Sequence, residues 1–118
     1  MYSPAQLQQK LFDLCKKCYE ADKAYVEAKE QFLVLDDIKK IRFEQIVEKQ
    51  SGDKVNYREH KAKISPEWGA WLKTYQQFRY EEQKARLMRD KYRRDWETCR
   101  SMLSTANQEM RSIPYEQR

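Results

Sequence analysis

The chain has 118 residues and a formal net charge of +5, with 36% charged residues, 40% hydrophobic residues, two Gly and three Pro. That length bounds it to one domain, and two glycines supply neither the turns of a β-sandwich or barrel nor a phosphate-cradling loop, since no GxGxxG or GxxxxGK stretch occurs. No apolar run approaches the roughly 20 residues of a membrane span, and the opening MYSPAQLQQK lacks the apolar stretch of a secretory signal, so the expectation is a soluble, all-α, cytoplasmic protein.

Ser3-Pro4 predicts the first helix start: Ser caps free amides, and Pro at the first helical position has no amide to leave unpaired. No Gly or Pro interrupts the chain from there to about Gln50, and Ser51-Gly52-Asp53 is the one clear break. Asn56 and Glu59 have capping-box spacing, which predicts a short helix over Asn56 to Ile64. Ser65-Pro66 repeats the start signal and opens a second long helix to about Arg111, stopped by Pro114. The prediction is one helical-hairpin domain over 1–118: helix at about 4–50, connector at about 51–65, helix at about 66–111. Helices of about 45 residues, roughly 65 Å long, are typical of coiled coils rather than globules.

The apolar spacing agrees. Leu7, Leu11, Leu14, Cys18, Ala21, Tyr25, Ala28, Phe32 and Leu35 follow alternating steps of four and three. Trp68, Trp71, Tyr75, Phe78, Glu82, Ala85, Arg89, Tyr92, Trp96, Cys99, Leu103, Ala106, Met110 and Ile113 keep the same spacing. A repeat of this length implies left-handed supercoiling. An antiparallel hairpin turning near position 58 pairs residues whose numbers total 117, giving Leu7/Met110, Cys18/Cys99, Ala21/Trp96, Tyr25/Tyr92 and Leu35/Glu82. Large faces small in several of these layers, as close packing requires. Beyond Leu35 the pattern predicts a fault, because Lys39 and Arg42 fall in core slots. A bend, a shift of contacts or a partner is expected near Asp36-Asp37, with Lys39 offsetting the Glu82 carboxylate.

Few residues suggest chemistry. Cys15-x-x-Cys18 with Cys99 would meet in this register, but zinc needs a fourth ligand, and the single histidine, His60, lies in the connector. Three cysteines on helices of an intracellular protein read as small core residues, not as a disulfide or a metal set. Asp36 and Asp37 are adjacent, so on a helix they point about 100° apart and do not share a ligand. No nucleophile, base and oxyanion set can be assembled. The expectation is a non-enzyme without cofactor or metal.

Two columns stand out. Arg79, Arg86, Arg93 and Arg100 recur every seven residues just after core slots, with Lys84, Lys91 and Arg94 nearby. Phe12, Tyr19, Val26 and Leu33 recur every seven on the first helix, outside the seam. Both columns fall on the same side of the predicted hairpin. An apolar column outside the seam needs burial by something further, which predicts self-association into a bundle, with a dimer as the first expectation. Asp22 is placed to reach Arg93 and Asp36 to reach Arg79, while Arg86 and Arg100 face Lys29 and Cys15. The arginines serve structural or oligomer contacts, a protein-binding surface, or a phosphate-tracking stripe.

The segments KAYVEAKEQFLVLDDIKK, SPEWGAWLK and YRRDWETCRSMLSTANQEM resemble a diverse group of small phage and prophage helical-hairpin proteins. That resemblance implies a phage or prophage origin among recombination and replication genes, hence a host-cell cytoplasmic location, and it transfers no catalytic residue. Two function classes follow. One is a non-enzymatic interaction protein docking by its apolar and arginine face on a protein of DNA processing or host defence: recombination, replication or anti-defence inhibition. The other is a direct nucleic-acid binder, of single-stranded DNA for instance, using the arginine stripe.

Overall fold

A computed structural model describes residues 2–113. It is all-α, with α1 at Pro4–Glu48, α2 at Val55–Lys63 and α3 at Pro66–Ser112, in the order of a helical hairpin with a small helix in its connector. Pro114, the expected stop of α3, lies outside the described residues.

Both serine starts are capped. Ser3 Oγ accepts from the Gln6 amide at 3.2 Å, and Gln6 Oε1 accepts from the Ser3 amide at 2.8 Å. This is a reciprocal capping box. Ser65 Oγ accepts from the Trp68 amide at 3.2 Å and donates to the Ala62 carbonyl at 2.7 Å, so it joins the end of α2 to the start of α3. The capping box predicted at Asn56 does not form. The N-cap of α2 is Lys54, with no side-chain bond, and Asn56 lies inside the helix. Gly52 makes the preceding turn at φ +135, a conformation open to glycine and rarely to other residues.

The chain divides into two compact units, Met1–Tyr25 with Ala85–Arg118, and Val26–Lys84. In each, α1 runs antiparallel to α3. In the first unit Leu7, Ala21 and Cys99 are buried. The Cys99 thiol donates to the Leu7 carbonyl at 3.4 Å, the Trp96 indole N–H donates to Cys15 Sγ at 3.1 Å, and the Arg89 guanidinium lies 4.1 Å from the Tyr25 ring centroid. The expected layers Cys18/Cys99, Ala21/Trp96 and Tyr25/Tyr92 are therefore displaced.

In the second unit Ile46, Ala62 and Trp68 form a core, with Phe43, Val47, Trp71 and Leu72 packed against it. Aromatic rings line this seam. Phe43 meets Trp68 at 4.9 Å, Trp68 stacks on Trp71 at 5.2 Å, Trp71 on Tyr75 at 5.5 Å, and Tyr75 meets Phe32 at 5.3 Å. Cys15 with Trp96 in one unit, and Asp36 with Tyr75 and Phe43 with Trp68 in the other, each total 111 rather than 117. The register is thus displaced by about one heptad from the predicted one. A heptad seam is indifferent to such a slip, and the choice goes to the term that buries most. Each aromatic carries 150–250 Å² of surface, by the general scale for these side chains, and gains further from ring geometry.

The expected fault at Lys39 and Arg42 is absent. Both stay half-buried in the seam, which resumes at fully buried Ile46. Their stems cover apolar surface while their heads find partners. The Lys39 ammonium lies 4.6 Å from the Tyr75 ring centroid, and Arg42 donates to Glu67 Oε1 at 2.9 Å. Lys39 thus serves Tyr75 rather than Glu82, which is buried and has its own interaction.

Candidate interaction surface

The α1 residues one place after seam slots turn outward. In the first unit Phe12 is 57% exposed and Tyr19 71%; in the second, Val26 and Leu33 are exposed as well. The Lys16 ammonium lies 4.7 Å from the Phe12 ring centroid, which leaves both side chains at the surface. Val34, Ile38 and Ile41 are also exposed in the second unit, at 61%, 39% and 55%. Their steps of four and three form a second outward stripe on α1. The signal was present in LVLDDIKKI, but a reading that follows one seam and one neighbouring column passes over it.

The arginines are held to different degrees. In the first unit Arg93 donates to Asp22 Oδ1 at 3.2 Å, as the sequence predicts. Asp22 lies three residues after exposed Tyr19, one turn along the same helix. The Arg100 guanidinium lies 5.2 Å from the Trp96 ring centroid, on the indole that donates to Cys15. Arg86 also has an intramolecular interaction. The sequence places no acid opposite Arg86 or Arg100 on α1, and offers Glu82 and Glu97 as neighbours within α3. For Arg100 an aromatic face substitutes for an acid on the facing helix, a role that suits a planar, weakly hydrated guanidinium. Lys84 and Arg94 are exposed, and Lys91 lies 5.4 Å from the Tyr92 ring centroid.

In the second unit Arg79 makes no ion pair with Asp36 among the described residues. Asp36 instead accepts from the Tyr75 hydroxyl at 2.7 Å. That hydrogen bond, followed by burial and the Asp36 charge, raises the Tyr75 hydroxyl above the ordinary phenol range, while the Arg79 charge opposes the shift.

The three cysteines do not converge. Cys15 is exposed, Cys18 is half-buried and Cys99 is buried. Burial, then the Asp22 charge and then Cys15, raises the Cys18 thiol above its ordinary value, which keeps it protonated and weakly nucleophilic. No group of three metal-ligating residues occurs among the described residues, and no described helix is long and apolar enough to cross a membrane.

The first unit also carries an open groove of about 1060 Å³, lined by Tyr2, Leu7, Met102, Ala106, Met110 and Ile113 among others. Met110 and Ile113 occupy seam slots of α3 yet are 45% and 36% exposed. The α3 repeat already contained both residues; only the true register shows them uncovered.

No family model matches this chain, and neither a curated protein nor a solved structure does. The function therefore has to be argued from the surface itself.

Proposed function

We propose that the chain is a non-enzymatic interaction protein that docks on another protein through the outward apolar residues of α1 and the arginine edge of α3. The observation that carries this reading is Tyr19, 71% exposed on α1, one helical turn before Asp22, whose carboxylate holds Arg93. Tyrosine and arginine dominate the energetics of protein interfaces, and an exposed phenol a turn away from an anchored guanidinium suits a contact of that kind. The resemblance of three segments to small phage proteins supports a partner in DNA processing or host defence, met in the host cytoplasm. Nucleic acid is the weaker alternative. Arg93 is neutralised by Asp22 and Arg100 is laid on Trp96, so phosphates would have to displace existing contacts.

Capture from a host lysate, with and without nuclease, tests the reading. The expected result is a specific protein retained after nuclease and lost with Phe12→Asp plus Tyr19→Asp. Capture that disappears on nuclease treatment alone would favour nucleic acid.

A further inference from the structure

The sequence reads the three cysteines alike, as small core residues, but the fold treats them differently. Cys99 is buried and its thiol donates to the Leu7 carbonyl, whereas Cys15 is exposed and Cys18 is half-buried one turn later. All three belong to the first unit. The Cys15 sulfur accepts from the Trp96 indole N–H at 3.1 Å, and the Arg100 guanidinium lies 5.2 Å from the centroid of the same ring. Lys16 and Lys17 follow Cys15 directly in the chain. An accessible thiol supplied with a donor and surrounded by cations is the kind that reacts, whereas a buried one such as Cys99 is inert.

Cys15 also has a second thiol within reach. Cys18 is three residues on, so both side chains share one face of α1. Helix geometry sets their Cα atoms roughly 5 Å apart, inside the range of about 4.4–6.8 Å that a disulfide spans. Their Cβ atoms, roughly 5–6 Å apart, have to close by about 1 Å to reach disulfide geometry. That closure tightens a single helical turn and leaves the rest of α1 in place.

We propose that Cys15 and Cys18 form a peroxide-responsive dithiol pair, in which Cys15, held at the Trp96 indole, reacts first and Cys18 resolves it to a disulfide within α1. This goes beyond the docking reading and does not depend on it. The Cys15 sulfur, as thiolate, attacks one oxygen of hydrogen peroxide. The O–O bond breaks, hydroxide leaves, and a sulfenic acid remains. The Cys18 sulfur then attacks the sulfenic sulfur. The S–S bond forms, the S–O bond breaks, and the hydroxyl leaves as water with the Cys18 proton. Two electrons pass in all from the two thiols to the peroxide, and thiol exchange with an external reductant reverses the step. Cys18, kept protonated by burial and the Asp22 charge, is the slower partner.

The test treats the folded full chain with hydrogen peroxide, blocks the remaining thiols and maps tryptic peptides without reductant. Trypsin cuts after Lys10, Lys16, Lys17 and Lys23, so the bridge should join peptide 11–16 to peptide 18–23 until reductant releases them. The intact mass should be that of one chain, with Cys99 recovered as a free thiol. Cys18→Ser should stop at the sulfenic acid, which dimedone labels at Cys15. Trp96→Phe should slow the oxidation of Cys15 at least threefold, with circular dichroism confirming that each variant is helical. A wild type without joined peptides, bridging only between chains or through Cys99, or a Cys15 rate indifferent to Trp96→Phe would overturn the proposal.

Discussion

Glu67 shows how a single side chain reconciles charges placed in a seam. Its Oε1 accepts from Lys49 and from Arg42, both at 2.9 Å. The Lys49 hydrogen bond, with the charges of Lys49 and Arg42, holds the carboxyl below the ordinary glutamate range against a smaller opposing effect of desolvation. The folded value lies below the unfolded one, so the contribution is complete above the ordinary glutamate range. It is lost as pH falls through the depressed folded value. Glu67→Gln should therefore lower the urea midpoint slightly at neutral pH, and the gap should close as the solution is acidified. The effect should be small because the pair is solvent-exposed. An equal gap at every pH would contradict this origin.

The helices show which features a sequence displays and which it conceals. The step of four and three is visible residue by residue, so the helix limits and seam positions follow from it. Its alignment is not visible, because shifting one helix by seven reproduces the same pattern. Matching large to small at Cys18/Cys99 and Ala21/Trp96 weighed layers far from the connector. The structure instead follows Phe32, Phe43, Trp68, Trp71 and Tyr75. Lys39 and Arg42 looked like a fault because a residue-type rule ignores their aliphatic stems. The outward column of Phe12, Tyr19, Val26 and Leu33 was legible, since it needs only the repeat. The groove at Met110 and Ile113 was not, since it needs the register. The connector gives a test at this scale. A Cβ at Gly52 would sit 2.7 Å from Tyr57 Cδ1 on a backbone at φ +135. Gly52→Ala should thus destabilise the fold by about 1–2 kcal/mol, measured by urea unfolding. A neutral result would show that the turn and the Tyr57 ring give way without strain.

For the molecule as a whole, the central claim is that its surface recognises protein rather than phosphate. The net charge of +5 gives general attraction to any polyanion at low salt. Specific phosphate tracking would require the arginines to leave Asp22 and Trp96. Counterion release gives this a measurable form, because affinity for single strands falls on a log–log salt plot with a slope of about −0.7 per phosphate neutralised. The most direct measurement is the titration of labelled single-stranded oligonucleotides from low to physiological salt, on the wild type and on Arg86→Ala plus Arg100→Ala. The account predicts no saturable binding at physiological salt and no dependence of residual low-salt binding on Arg86 and Arg100. Saturable binding at physiological salt, with a slope that shrinks by about 1.4 when both arginines are removed, would contradict it.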